Sequence, residues 1–292
     1  MPYDLKGRNV LVTGGSRGLG ALICDKFAKE GANVVVNYVS SAAAAQEIAT
    51  TIAGEYGVKA FAVHGDMGVE GDCVRVVEEA IGVLGGLDVV VSNAGWTRFS
   101  SIPDLHATTA ADWDTCFAVN VKAQNYLMRT ALPTFNANPE GGVFIMTSSI
   151  AGMATSGSSL PYCVTKAAQL QLMRVFAASQ GPKVRCNAVC PGLLLTEWGQ
   201  KYPESAVKFL EEKAYLKKVT DLEDCAQSFV DTARNSSMTG QKIVVGRGNN
   251  WSQIVFNHYV TTAVHPVVAP ACCRSMFSPS NILTTFTRGG QA

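Results

Sequence analysis

The chain has 292 residues, 47% apolar and 16% charged, and 24 Lys plus Arg against 23 Asp plus Glu leave a net charge of +1. Such an apolar share fills a sizeable core and excludes global disorder, and the balanced charge argues against a nucleic-acid binder held by phosphate neutralisation. No run reaches ~18 consecutive apolar residues, which predicts no membrane-spanning helix, and the opening segment Met1–Arg8 lacks the apolar stretch of a secretory signal.

Short β-branched runs alternate with amphipathic segments from Asn9 to Val245. Asn9–Thr13 reads as a buried strand ending in glycines. Leu19, Leu22, Ile23 and Phe27 then share one face of a helix over Gly18–Glu30, which Gly31 stops. The cycle repeats with a strand at Asn33–Asn37, a helix at Ala42–Glu55, a strand at Lys59–His64, a helix at Glu70–Leu84 and a strand at Leu87–Ser92. One long helix is expected over Asp112–Phe135, then a strand at Val143–Thr147, a helix at Tyr162–Ser179 and a strand at Val184–Val189. Helices at Pro203–Ala214 and Leu222–Ala233 precede a last strand, Lys242–Val245. Strands apolar on both faces and separated by helices predict a single-domain, doubly wound α/β fold, its parallel sheet covered on both sides.

Residues 249–292 differ from this body. They hold no Asp, Glu or Lys, and Pro266, Pro270 and Pro279 exclude a long helix. Domain 1–248 is therefore expected to carry an atypical C-terminal arm, packed on the body or a neighbouring subunit through Trp251, Ile254, Phe256 and Tyr259, and disordered after Pro279. Nine scattered cysteines predict reduced thiols in a cytoplasmic protein, and neither Cys186/Cys190 nor Cys272/Cys273 has a second pair at zinc-ligand spacing, so no metal is expected.

Thr13-Gly14-Gly15-Ser16-Arg17-Gly18-Leu19-Gly20 joins the first strand to the first helix. A glycine turn at a helix N-terminus lets backbone N–H groups approach a pyrophosphate, so this strand–turn–helix setting predicts dinucleotide binding. The spacing Gly14, Gly18, Gly20 resembles the T-G-x-x-x-G-x-G version found in the short-chain dehydrogenase/reductase family. An NAD site needs an acid after the second strand to bind the ribose 2′-hydroxyl. Asn37, Tyr38, Val39, Ser40 and Ser41 offer none. A 2′-phosphate would instead be welcomed by Arg17, Asn37, Ser40 and Ser41, and Arg17 stands at the basic position of NADPH-preferring members. The expected coenzyme is NADP.

Tyr162 and Lys166, four apart on a helix, share one face. A phenol titrates near 10, and an adjacent ammonium, aided by an oxidised nicotinamide, is expected to lower it. Reaching about 7 takes about 4 kcal/mol. The tuned phenol can then exchange a proton with an oxygen that gains or loses hydride. Ser149 can hydrogen-bond that oxygen; Ser148 competes for the role, but the family's Ser-to-Tyr spacing favours Ser149. The resemblance extends over Lys6–Gly246 and implies the following. Asn120 matches the family's helix asparagine that holds a relay water, which gives a catalytic set of Asn120, Ser149, Tyr162 and Lys166. Asn93-Ala94-Gly95 lines the coenzyme, Asp66 and Met67 lie near the adenine, and Pro191, Gly192 and Thr196 belong to the loop that meets the nicotinamide amide and phosphates.

A substrate loop is expected over Leu193–Tyr215, with Trp198, Tyr202 and Phe209 as apolar candidates and Trp96 and Met153 facing the same cleft. No basic cluster sits in its first half, so a small or medium, fairly apolar ketone fits better than an acidic substrate. An aromatic or polyketide-like ketone, or another biosynthetic intermediate, would be such an apolar substrate. The glycine loop and the Val-Asn-Tyr segment also resemble the 3-oxoacyl and naphthol reductases of the family, a similarity that concerns the coenzyme half. The resemblance implies a homo-dimer or homo-tetramer acting on a small molecule, without nucleic-acid or membrane partners. A catalytically silent NADPH-binding regulator and a reductase of imines or other non-ketone intermediates are the alternative readings.

Overall fold

Valine fills the inner strands: Val10–Val12, Val34–Val36 and Val89–Val91 are buried throughout, as a sheet covered on both faces requires. A computed structural model describes residues 3–248. The expected arm 249–292, with its four aromatic and aliphatic anchors and Cys272 and Cys273, lies outside the described residues. The elements are β1 (Asn9–Val12), α1 (Gly18–Lys29), β2 (Asn33–Tyr38), α2 (Ala42–Tyr56), β3 (Ala60–His64), α3 (Glu70–Leu84) and β4 (Val89–Ser92). Then follow α4 (Ala110–Phe117), α5 (Ala123–Ala137), β5 (Gly142–Thr147), α6 (Leu160–Gln180), β6 (Val184–Pro191), α7 (Glu204–Lys213), α8 (Leu222–Arg234) and β7 (Lys242–Val245).

All strand pairs are parallel, in the order β3-β2-β1-β4-β5-β6-β7. The expected doubly wound sheet is thus found. Alternate residues of each strand face opposite layers. Leu11, Val35 and Val90 pack with α3, α5 and α6, whereas Val10, Val12, Val34, Val36, Val89 and Val91 pack with α1, α2 and α8. In α1, Ile23 and Phe27 are fully buried, each contributing about 1.5–3 kcal/mol. The order reverses between β1 and β4, and the crevice beyond the C-terminal ends of those strands is where ligands bind in open α/β sheets.

The long helix expected over Asp112–Phe135 is not one regular helix. A five-residue π turn, Ala118–Lys122, separates α4 from α5 and carries Asn120. A single extra residue per turn leaves the apolar periodicity nearly intact, so the sequence pattern conceals it. The helix also starts earlier than expected, at Thr109, whose hydroxyl and the Asp112 carboxylate form a reciprocal cap. Six of the seven described cysteines are buried and all seven are free thiols. Among the described residues no helix is long and apolar enough to cross a membrane, and no three His, Cys, Asp or Glu side chains cluster as metal ligands would.

Candidate active site

The loop after β1 is shaped by two glycines. Gly14 sits at φ +63°, and a Cβ on Gly20 would lie 2.1 Å from the Gly14 carbonyl oxygen. Thr13 and Asn93 staple the ends of β1 and β4 together. The Thr13 hydroxyl accepts from the N–H groups of Asn93 (2.9 Å) and Ala94 (3.0 Å). The Asn93 amide in turn donates to the carbonyls of Thr13 and Gly14, and Thr147, at the end of β5, donates to its oxygen. No side chain caps α1, whose N-cap residue Arg17 is extended, and no acid stands in its first turn. Its leading N–H groups and the positive end of its dipole are therefore left for an anion, a setting that suits a pyrophosphate.

Asn37 does not join the exposed groups expected to meet a 2′-phosphate. It is buried, and its amide oxygen accepts from Gly14 N (3.2 Å) while its nitrogen donates to the Val63 and Gly65 carbonyls. It is a strut beneath the glycine loop. Arg17 and Ser40 are exposed and Ser41 is half-buried. Asp66 is exposed, its carboxylate accepting from Gly68 N at 2.7 Å, and Met67 beside it is buried.

The helix cap Ser159, which accepts from Tyr162 N, starts α6 so that Tyr162 and Lys166 fall one turn apart at its entrance. Lys166 is 2% exposed; its ammonium donates to the Thr147 carbonyl (2.8 Å) and lies 5.3 Å from the centre of the Tyr162 ring. The Ser149 hydroxyl hydrogen-bonds the Tyr162 side chain and also accepts from Ala151 N. Ser148 points elsewhere, donating to the Lys166 carbonyl from a buried position, so the adjacent serines divide between site and scaffold.

Asn120 is fully buried, and its amide brackets Trp96, accepting from its N–H (2.8 Å) and donating to its carbonyl (2.9 Å). The same nitrogen faces the Thr165 hydroxyl and the Cys116 sulfur. The side chain expected to serve a relay water thus clamps the segment after β4. A Cβ on Gly95 would lie 3.6 Å from Asn120 Oδ1, 3.7 Å from Lys166 Nζ and 3.7 Å from the Trp198 indole, so Asn120, Lys166 and Trp198 converge there.

The electrostatics depart from the expected lowering of the phenol. Burial is the largest influence on Tyr162 and raises its pKa, Tyr202 adds to the rise, and the Ser149 hydrogen bond opposes it. Burial also pushes the Lys166 ammonium down to about 8, opposed by the Cys116 and Cys190 thiols. Removal from water disfavours the charged form of each group, the phenolate of Tyr162 and the ammonium of Lys166. In the protein alone Tyr162 is a protonated donor.

A stability test follows from Lys166. Below pH 8 the folded and unfolded chains both hold its proton; between about 8 and 10.5 only the unfolded chain does, so this group raises unfolding free energy as pH increases through that window. The stability of wild type relative to Lys166→Met should therefore shift in favour of wild type from pH 7 to pH 9.5. Urea unfolding at both pH values measures it, and an unchanged or opposite difference refutes the low value.

Beyond β6, Pro191-Gly192 leads into a segment that crosses the crevice. Thr196 lies against Gly18, Glu197 pairs with Arg17, and Trp198 meets Tyr162 edge-on at 5.9 Å. Tyr202 packs edge-on against Phe99 at 5.1 Å, and burial pushes its pKa up to about 12. Of the other apolar candidates, Trp96 and Met153 are half-buried with one side against the core cluster, and Phe209 lies under the Lys213 ammonium. Sequence reasoning missed Thr13, Thr147 and Thr165 as supports and Glu197 as the partner of Arg17. Thr147 serves Lys166 through its backbone carbonyl, which no residue type announces.

Residues 14–250 match the family model described as Enoyl-(Acyl carrier protein) reductase. A Streptomyces violaceoruber protein assigned as ketoacyl reductase 2 of the granaticin polyketide synthase is 34% identical over 240 residues, covering 82% of this chain and 94% of its own. A short-chain dehydrogenase from Burkholderia cenocepacia, crystallised with NADP, superposes with a TM-score of 0.77 at 28% identity, covering 84% of this chain and 99% of its own. A 7α-hydroxysteroid dehydrogenase, complexed with NADH and 7-oxo glycochenodeoxycholic acid, superposes with a TM-score of 0.78 at 27% identity, covering 85% of this chain and 96% of its own.

Proposed function

Since the chain belongs to the short-chain dehydrogenase/reductase family of oxidoreductases, we propose that it is an NADPH-dependent reductase acting on the ketone of a small or medium, fairly apolar organic molecule. The observation that carries this reading is the Tyr162 hydroxyl, bonded to Ser149 and one turn from Lys166, whose ammonium faces Gly95 in the segment just after β4. When bound, reduced nicotinamide supplies the hydride. Tyr162 donates its proton to the carbonyl oxygen as charge gathers there, and Ser149 hydrogen-bonds the same oxygen. Lys166, fixed to the Thr147 carbonyl, opposes the charge left on the phenolate. Asn120 holds the chain around Trp96 in place.

Two solved neighbours carry different coenzymes, so the choice of NADPH rests on this chain's own residues. No carboxylate follows β2, and Arg17 stands exposed at the rim of the glycine loop, where it pairs with Glu197. Phe99, Trp198 and Tyr202 favour an apolar substrate, and the bound keto ligand of one neighbour and the ketoacyl reductase assignment of the other relative agree with a carbonyl. A dimer or tetramer located in the cytoplasm belongs to the same reading.

One assay tests it. A panel of ketones is offered with NADPH or NADH while loss of reduced-nicotinamide absorbance is followed. Wild type should oxidise NADPH preferentially, and Arg17→Ala should narrow the NADPH-to-NADH ratio of kcat/KM about ten-fold, the worth of one charged hydrogen bond of about 1.5 kcal/mol. Equal efficiency with both coenzymes contradicts the coenzyme assignment. No oxidation across the panel favours the silent regulator or a non-ketone substrate.

A further inference from the structure

Three consecutive residues of the segment after β6 touch three separate parts of the site. Thr196 Cγ2 would lie 3.3 Å from a Cβ on Gly18, the first residue of α1. The Glu197 carboxylate accepts from Arg17 Nη1 at 3.0 Å, across 180 positions of sequence. The Trp198 indole lies edge-on to Tyr162 and against Gly95. Backbone bonds from Gln200 N to Thr196 O and from Lys201 N to Trp198 O tie these residues into one short coiled unit. Both ends of the ion pair are open to water, with side-chain exposures of 66% and 70%.

We propose that Glu197 is a coenzyme-discriminating residue, an internal competitor that occupies Arg17 until a 2′-phosphate displaces it. This rests on the reading of Arg17 as the 2′-phosphate partner. A phosphate monoester carries up to two charges and three acceptor oxygens against one charge and two oxygens on the carboxylate, so it wins the guanidinium, but at reduced apparent affinity. A coenzyme without that phosphate leaves the Arg17–Glu197 pair intact. Displacement also unpins the outer end of residues 196–198 and so loosens the Trp198 cover on Tyr162. Recognition of the phosphate on the adenosine half is thereby coupled to access at the proton donor.

Calorimetric titration of the full chain with adenosine 2′,5′-bisphosphate and with 5′-AMP tests the competition without turnover. Glu197→Gln should bind the bisphosphate about two- to five-fold more tightly, the range expected for an exposed ion pair, with AMP unchanged. Glu197→Lys should extend the gain, and Arg17→Ala should abolish the effect of Glu197→Gln. If Glu197→Gln leaves the bisphosphate unchanged, or tightens AMP equally, the competition is refuted. If Arg17→Ala binds the bisphosphate as wild type does, it is the NADPH reading itself that fails. Tryptophan emission tests the coupling: the bisphosphate should change it in wild type, AMP should not, and Trp198→Phe should remove the change. A signal that survives in Trp198→Phe overturns the link to the cover.

Discussion

Tyr162→Phe is expected to lower turnover by about 10²- to 10⁴-fold, the usual worth of a positioned proton donor, while coenzyme affinity stays within about two-fold of wild type. The substitution deletes one oxygen and keeps the ring that Trp198 meets edge-on. Ser149 retains its bond from Ala151 N, so the turn beside it keeps its cap. Burial holds the phenol protonated across the neutral range, so wild type should show no loss of its donor between pH 6 and 8 from Tyr162 ionisation. Single-turnover oxidation of NADPH, together with coenzyme titration, separates chemistry from binding. A rate above about a tenth of wild type in the variant would remove Tyr162 from the role of acid.

Gly20→Ala is expected to damage both folding and coenzyme binding. The added carbon would meet the Gly14 carbonyl oxygen at 2.1 Å and the Asn93 side-chain nitrogen at 2.7 Å. Both belong to the staple that joins β1 to β4, so the strain falls on the crevice itself. Overpacking of this kind costs about 1–3 kcal/mol, which lowers Tm by about 2–4 °C for each kcal/mol in a chain of this size. Where the clash is relieved by opening the glycine loop, the same energy comes off coenzyme binding, about 5- to 150-fold. Gly82→Ala on α3 is the control. No atom lies within 4 Å of its added carbon, and alanine should gain about 0.5–1 kcal/mol there through helix propensity. Thermal melts and coenzyme titrations of the two variants should therefore move in opposite directions in stability, and only Gly20→Ala should lose affinity.

Much of the site is legible because its signals are local. The glycine spacing, the Tyr162–Lys166 step and the alternation of strand and helix each depend on residues within a turn or two of one another. The preference for Ser149 over Ser148 came from the resemblance, and only the structure supplies its geometric reason: adjacent residues in an extended chain face opposite ways, so Ser148 meets the Lys166 carbonyl and Ser149 the phenol. Asn37 needed the structure too. Its polarity suggested a ligand contact, but near the end of a strand buried on both faces it lies inside the protein, where Gly14, Val63 and Gly65 use its amide.

By itself the sequence determined the order of elements and the parallel sheet, and it singled out the residues proposed as acid and as phosphate cradle. Those follow from backbone periods and from the partition of side chains between water and core, which each short window records. Tertiary structure alone decided how polar groups pair: Asn120 with the backbone of Trp96, Arg17 with Glu197, and a phenol whose pKa burial raises despite a nearby ammonium. The physical reason is that a hydrogen bond or desolvation acts over a few ångströms of space, and segments as far apart as 180 positions meet only once the chain has folded.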